Sequence, residues 1–172
     1  MKYLKDCPEP GMGTWYFEVD SDGVAYRQIV IQDDGTFIAS NRKHEQYHFL
    51  LAEKAIDDTE PYYTKITKKE FEGIWSSNLH TSNKEWHQVK TALPVGTKVT
   101  GYIEAFFPHG TLIHIFQHNA VGLADTHSYA EKTPAEWMYP RHEITAIVQS
   151  YDELNQWVIL EQMQVFENQF TG

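Results

Sequence analysis

Residues 13–40, GTWYFEVDSDGVAYRQIVIQDDGTFIAS, contain three β-rich runs separated by two Asp-Gly pairs. Apolar residues occupy alternate positions of the first run, at the period of a strand with one buried face. These residues are Trp15, Phe17 and Val19. Asp22-Gly23 and Asp34-Gly35 each interrupt the pattern, and glycine supplies the positive φ that a tight hairpin turn requires. The stretch therefore predicts a three-stranded antiparallel meander.

The next forty residues change to a helical period. Residues 44–56 place apolar side chains at Tyr47, Leu50 and Leu51, a spacing that is typical of a helix. A second helix is predicted to begin at Thr67, because Thr67 and Glu70 have the spacing of a capping box. Helices can cover the apolar face of a small sheet. Residues 1–80 are therefore predicted to form an α+β domain, an antiparallel meander plus two helices.

Composition limits the classes of function that this chain can have. It has 172 residues, 14 of them basic and 24 acidic, which gives a formal net charge of −10. This balance excludes the broad basic face that drives non-specific nucleic-acid binding. The single cysteine fits a reducing compartment, and no apolar run approaches the ~20 residues of a membrane span. We expect a cytoplasmic protein with no membrane partner.

The second half of the sequence has an all-β pattern. Residues 81–93 are polar and mixed and are predicted to be a linker. Residues 94–165 then carry five strand-like runs, and a short helical turn at Thr133–Trp137 lies between the third and fourth runs. This arrangement is the plan of a five-stranded OB-fold barrel. Residues 166–172 are predicted to be a tail.

Several short stretches of the second half resemble the sequence pattern of one known family. They are Val95–Ile103, Gly110, Gly122-Leu123-Ala124, Ile144–Val148 and Ile159-Leu160. In this order they resemble the ribosomal protein S-one type of OB-fold RNA-binding domain, over residues of about 94–161. The resemblance implies an OB barrel that binds RNA or single-stranded nucleic acid. In Trp15–Val19, Tyr26–Val30 and Lys69–Trp75 the N-terminal half is weakly similar to a family of small uncharacterised bacterial domains, which implies an independent module in a bacterial-type protein.

Three positions depart from the pattern of that family. Its members stack RNA on aromatic residues beside the second-strand glycine, and a histidine follows the glycine-leucine pair. The corresponding residues here are His109, Leu112 and Asp125. Residues 93–172 also contain three basic and nine acidic residues, a net charge of −6. A groove that follows a phosphate backbone needs the opposite sign. The alternative hypothesis is therefore a protein–protein interaction or regulatory module whose OB fold has lost RNA binding.

The predicted nucleic-acid contacts lie on the barrel face that OB folds use for ligands. Phe107, His109 and His114 are the predicted base contacts. Lys98 and Arg141 are the predicted phosphate partners. Strand alternation predicts that one of the pair Phe106-Phe107 is buried. The sequence predicts a non-enzymatic binding protein without a cofactor.

One motif offers a third hypothesis, a zinc hydrolase. His44-Glu45-Gln46-Tyr47-His48 matches HExxH, which on a helix places both imidazoles on one face for Zn²⁺ and lets the glutamate polarise a water molecule. Arg42-Lys43 precede the motif, where a buried metal-binding helix is usually apolar. A surface helix or loop is therefore the favoured interpretation of the motif. The sequence predicts no metal site, and His44 and His48 are the ligands that the zinc hypothesis would use.

Overall fold

The computed structural model describes residues 1–172, and the chain divides into two compact units. The first unit is Met1–Ser82 and the second is Asn83–Gly172. No helix in either unit combines the length and the apolar character needed to cross a membrane.

The first unit contains a five-stranded antiparallel sheet. The strands are β1 (Lys2–Asp6), β2 (Thr14–Val19), β3 (Ala25–Ile31), β4 (Phe37–Ala39) and β5 (Tyr63–Lys65). Their order in the sheet is β4-β3-β2-β1-β5, with every neighbouring pair antiparallel. The predicted meander is confirmed as β2-β3-β4. The strands β1 and β5 extend it on the β2 side, which leaves β4 at the opposite edge.

One helix covers this sheet. Helix α1 (Lys68–His80) begins after Thr67, whose side chain accepts a hydrogen bond from the Glu70 backbone N–H at 3.1 Å. Phe71 and Trp75 are fully buried and pack on the sheet with the core that surrounds Tyr16. The N-cap predicted from the Thr67–Glu70 spacing is therefore confirmed.

The helix predicted over residues 44–56 is wrong. The segment forms turns, and its apolar residues Leu51 and Ile56 pack against the second face of the sheet. The buried side chain of Gln28 accepts a hydrogen bond from the backbone N–H of Ala52 at 2.8 Å. Isolated short helices are marginal, so these tertiary contacts decide the conformation here. The first unit thus has one helix rather than two.

The predicted linker contains a helix that belongs to the second unit. Helix α2 (Asn83–Ala92) buries Trp86 in the core of the following barrel, where its side chain is 5% exposed. The indole Nε1 of Trp86 donates a hydrogen bond to Glu153 at 2.7 Å. Residues 83–92 are therefore part of the second domain's fold.

The second unit is a closed five-stranded barrel. Its strands are β6 (Lys98–Phe107), β7 (Gly110–Ile115), β8 (Ala120–Ala124), β9 (His142–Asp152) and β10 (Trp157–Gln169). The strand order is β10-β8-β7-β6-β9, with β10 parallel to β8 and all other pairs antiparallel. A short helix, α3 (Thr126–Ala130), and a 3₁₀ turn at Ala135–Trp137 lie between β8 and β9. This arrangement is consistent with an OB-like barrel.

The last strand is longer than the sequence indicates. Residues 166–169, which were predicted to be part of a tail, continue β10. Met163 and Val165 are buried in the barrel core, and a bulge between Glu161 and Gln164 shifts the buried positions from even-numbered to odd-numbered residues. The backbone N–H of Phe170 then donates to the carbonyl oxygen of Arg141 at 2.8 Å, which fixes the chain beyond the strand.

Candidate functional site

Strand register determines which side chains of the β6-β7 hairpin point away from the barrel core. Ile103 pairs with Ile113, and both side chains belong to the barrel core. The neighbouring pair, Tyr102 and His114, must then point away from the core, because successive side chains alternate between the two faces. We call the side of β6, β7 and β8 opposite the core the outer face.

A β-bulge changes which β6 residues lie on the outer face. The register shifts between Ile103 and Ala105, so that Ala105 pairs with Leu112 and Phe107 pairs with Gly110. Bulges insert one extra residue and thereby reverse the alternation beyond them. Phe107 consequently lies on the same face as Tyr102. In a regular strand their odd separation in sequence would place them on opposite faces.

Four rings form a cluster on the outer face. Tyr102 stacks with His114 at a centroid distance of 4.9 Å and with Phe170 at 4.8 Å. Phe116 lies 5.1 Å from Phe170 and 6.0 Å from His114. We call these four residues the Tyr102 cluster. Tyr102 is only 5% exposed, whereas Phe116 is 37% exposed, so the accessible ring surface comes mainly from the residues around the central tyrosine.

Arg141 places a cation over this cluster. Its guanidinium carbon lies 5.1 Å from the centroid of Tyr102 and 6.0 Å from that of Phe170, within the range of a cation–π contact. The backbone N–H of Arg141 donates to the carbonyl oxygen of Ile103 at 2.7 Å. The residue has a φ of 78°, a left-handed conformation that turns the chain into β9. The arginine is exposed while its backbone is anchored at both ends.

One carboxylate borders the cluster. The Tyr102 hydroxyl donates to Glu104 at 3.5 Å, and the Nδ1 atom of His114 lies 4.0 Å from the same carboxylate. Burial raises the pKa of Tyr102 above its ordinary value, the charge of Glu104 adds to the rise, and Arg141 opposes it. The site therefore combines aromatic surface with one cation and one anion.

A second ring group lies at the far end of the hairpin. Phe107 and His109 both contact the buried ring of Trp157, at centroid distances of 6.2 Å and 5.2 Å. The prediction that one of Phe106 and Phe107 is buried is wrong. Phe106 is 43% exposed and Phe107 is partly exposed, because both lie where β6 extends past the barrel core.

The predicted contact residues thus fall into separate groups. His114 and Arg141 meet at the Tyr102 cluster. Phe107 and His109 form the second group. Lys98 is exposed at the start of β6 and shares the outer face with Tyr102, at a distance of four residues along the strand.

Sequence reasoning missed two members of the site, Phe116 and Phe170. Phe116 directly follows β7, and its backbone N–H donates to the Thr100 carbonyl at 3.0 Å. The alternation of β7 could have indicated Phe116, because residues 112, 114 and 116 occupy alternate positions and therefore lie on the same face of the strand. No local sequence pattern could have identified Phe170 as a site residue, because only the extension of β10 brings its ring to Tyr102.

The helical zinc site predicted as the third hypothesis is wrong in its geometry. Residues 44–48 form a tight turn in which His44 and His48 exchange backbone hydrogen bonds of 2.7 Å and 2.8 Å. Without a helix, the i and i+4 positions no longer share a helix face. The His44 ring stacks on Tyr47 at 5.4 Å, and its Nδ1 accepts from the Gln46 backbone N–H at 3.1 Å. No group of three or more His, Cys, Asp or Glu side chains is arranged to hold a metal ion.

No protein-family model matches the chain, and no curated protein matches it significantly. The class of protein is therefore defined by its fold alone: an antiparallel α+β unit followed by an OB-like barrel with an aromatic outer face.

Proposed function

We propose that this chain is a non-enzymatic binding protein that holds RNA or single-stranded nucleic acid weakly through the outer face of its barrel. The observation that carries the proposal is the position of Arg141 over the Tyr102 cluster. The S-one-like pattern of residues 94–161 supports the same ligand class, and the single cysteine fits a cytoplasmic location.

The geometry supplies both kinds of contact that single strands need. The exposed edge of Phe116 and the half-buried ring of His114 offer surfaces for bases, and stacking on an aromatic ring is worth ~1–3 kcal/mol per base. Arg141 and Lys98 offer charges for the phosphates on either side of those bases. Phe107 and His109 extend the face beyond Leu112 and provide a further contact region.

The charge of the barrel makes the binding weak or dependent on another protein. Residues 93–172 have three basic and nine acidic side chains. Glu104 lies within 4.0 Å of His114 and repels a phosphate placed there. Long-range attraction for nucleic acid is therefore small, and binding relies on stacking at close range.

The same charge favours the second candidate, a protein–protein interaction or regulatory module. Phe106 and Phe116 are 43% and 37% exposed on a net acidic barrel. Exposed aromatic residues are enriched at protein interfaces, so a basic protein partner would fit this face without any nucleic acid.

Fluorescence anisotropy with labelled mixed-sequence RNA and single-stranded DNA at low salt tests the proposal. We expect saturable binding that weakens by about tenfold in Phe116→Ala, and that also falls in Phe107→Ala, because each change removes a stacking surface. Tyr62→Ala, which changes a tyrosine that is 55% exposed in the first unit, is the matched control and should leave binding unchanged.

One result would count against nucleic acid as the ligand, and another would count against the outer face as its site. The absence of binding at high micromolar protein would favour the protein partner. Equal binding by wild type and both phenylalanine variants would place the ligand on another surface.

A further inference from the structure

A polar pocket lies in the first unit, where the C-terminal end of α1 meets β4 and the turn that follows this strand. Its volume is about 170 Å³, whereas one water molecule occupies about 30 Å³ of the liquid. The pocket therefore has room for a ligand of several heavy atoms. Phe37, Ile38 and Ala39 of β4 line one side, and every other lining residue is polar or basic, with no acidic residue among them.

Three consecutive basic residues line this pocket. They are Arg42, Lys43 and His44, in a chain whose formal net charge is −10. The guanidinium of Arg42 donates through Nη1 to the backbone carbonyl of Asn41 at 2.8 Å, which restrains the side chain. The Nδ1 atom of His44 accepts from the Gln46 backbone N–H at 3.1 Å, so the neutral ring carries its proton on Nε2 and remains a donor in both charge states. This lining favours an anionic ligand.

Two buried amides complete the polar wall. Asn78 is 9% exposed and Asn41 is 1% exposed, and Nδ2 of Asn78 donates to Oδ1 of Asn41 at 3.3 Å. An amide nitrogen carries two N–H groups, and this bond uses one of them. Asn78 continues the buried stripe of α1 after Phe71 and Trp75, where an apolar side chain would be buried without the cost of desolvating a polar group. A polar ligand explains this amide better than packing does.

The end of α1 adds two hydroxyl groups of the opposite capacity. Oγ1 of Thr81 donates to the Asn78 carbonyl at 2.7 Å, and Oγ of Ser82 donates to the Leu79 carbonyl at 3.2 Å. Both residues line the pocket. Each hydroxyl proton is used by the helix, so these oxygens can accept a hydrogen bond from a ligand hydroxyl but cannot donate one to an anion. The pocket thus combines cationic donors from the turn with neutral acceptors from the helix end.

We propose that this pocket binds a sugar phosphate, a phosphate monoester on a polyhydroxylated carbon chain. A phosphate monoester carries a charge of about −1.5 to −2 at pH 7, which matches the two positive charges of Arg42 and Lys43. A carboxylate or a phosphodiester carries a single negative charge and matches them less well. The sugar hydroxyls donate to the oxygens of Thr81 and Ser82. The site lies in the first unit and does not depend on nucleic-acid binding by the barrel.

Isothermal titration calorimetry of the full chain with ribose 5-phosphate tests the pocket. We expect saturable binding with a Kd of about 10 μM to 1 mM. Inorganic phosphate should bind about tenfold more weakly, because it has no sugar hydroxyls for Thr81 and Ser82. Arg42→Gln should weaken binding of ribose 5-phosphate about tenfold and Lys43→Gln about threefold, since an arginine holds phosphate through two N–H groups and Lys43 is exposed. Lys54→Gln, which removes another exposed cation of this unit, is the matched control and should bind as wild type does.

NMR spectra of the side-chain amides locate the bound ligand. The amide signal of Asn78 should shift during the titration with the same Kd as the calorimetry gives, because this group lines the pocket. The amide signal of Gln149, an exposed residue of the second unit, should not move. Circular dichroism verifies that the variants are folded, and Lys43→Gln keeps the test open if the half-buried Arg42 cannot be replaced.

The same sugar phosphate occurs free in solution and at the 5′ end of an RNA strand, and competition distinguishes these sources. Displacement of ribose 5-phosphate by a 5′-phosphorylated trinucleotide, but not by its 5′-hydroxyl counterpart, would assign the pocket to a strand end. Displacement by neither would assign it to the free sugar phosphate.

Three results would overturn the proposal. One is the absence of saturable binding up to about 10 mM ribose 5-phosphate. Another is binding that both charge variants leave unchanged or that does not shift the Asn78 amide, because the ligand would then lie elsewhere. The third is equal affinity for inorganic phosphate and ribose 5-phosphate, because the pocket would then not recognise the sugar.

Discussion

The guanidinium carbon of Arg141 lies 5.1 Å from the ring centroid of Tyr102 on the outer face of the barrel. The same residue donates its backbone N–H to Ile103 and accepts a hydrogen bond from Phe170, so it joins β6 to the chain that follows β10. A single arginine therefore both assembles the aromatic cluster and supplies its cation. This coupling explains why Phe170, remote from β6 in sequence, belongs to the site.

Arg141→Gln should weaken binding of single-stranded RNA and lower the slope of log K against log salt by about one unit, because one phosphate contact is lost. Anisotropy titrations at several salt concentrations measure both effects. Lys132→Gln removes an exposed cation from the loop after α3 and should leave the slope unchanged. An Arg141→Gln protein with the wild-type slope would show that this arginine does not contact phosphate.

Arg27→Met should destabilise the first unit by about 3–5 kcal/mol. The guanidinium is 2% exposed and donates to Glu18 at 2.9 Å and 2.6 Å and to Glu72 at 3.1 Å and 2.5 Å. Burial acts to lower the pKa of Arg27, but its hydrogen bonds with Glu18 and Glu72 raise it above the ordinary value, so the arginine stays charged. Removal of this charge leaves the buried Glu18 carboxylate without the guanidinium that neutralises it. Urea unfolding followed by circular dichroism measures the loss.

The matched control for Arg27 is Lys65→Met. Lys65 is 74% exposed and lies 3.6 Å from Asp58, and exposed pairs contribute about 0–1 kcal/mol. The double variant Arg27→Met/Glu18→Met should recover much of the lost stability, because apolar replacements of buried ion pairs are often neutral. A loss below about 1 kcal/mol in Arg27→Met would contradict the assigned role of the network.

Gly101→Ala and Gly73→Ala should change stability in opposite directions. A Cβ at Gly101 would overlap the backbone carbonyl of His114, so β6 and β7 must separate, at a cost of about 1–3 kcal/mol or more. Gly73 lies in α1 and has open space around it, so alanine there should stabilise the helix by about 0.5–1 kcal/mol. Thermal unfolding of both variants measures the difference. Equal effects would contradict the close approach at Gly101.

Glu153→Gln should destabilise the second unit at pH 7 but not in acid. Burial acts to raise the pKa of Glu153, whereas hydrogen bonds from Lys90 and Trp86 and the charge of Lys90 lower it, and the net shift is downward from 4.5. A lowered native pKa contributes stability above the unfolded value, and this contribution disappears as the pH falls through the native value.

Urea unfolding of wild type and Glu153→Gln at pH 7 and at about pH 3 measures this effect. The two proteins should differ at pH 7 and converge at the lower pH. Glu131→Gln, which changes an exposed carboxylate in the loop after α3, is the control. A constant difference between wild type and Glu153→Gln at both pH values would show that the ionised form of Glu153 is not what stabilises α2 on the barrel.

Local signals in the sequence predicted most strands and one helix correctly. The Asp-Gly turns at residues 22–23 and 34–35 placed β2, β3 and β4, because glycine is needed where φ is positive. Thr67 placed the start of α1, because its hydroxyl satisfies a backbone N–H of the first turn. Local pattern gave the wrong prediction at residues 44–56. The apolar residues there have the spacing of a helix, but they cover the second face of the sheet from a segment of turns.

The sequence by itself determined most of the strands and the order of the two modules, since turn chemistry and strand alternation act over a few residues. Only the tertiary structure decided which side chains share the outer face. The bulge after Ile103 brings Phe107 to the side of Tyr102, and the long β10 brings Phe170 there. Both depend on strand pairing between distant segments. A one-residue change of register moves every later side chain to the opposite face, and a local pattern does not encode where that change occurs.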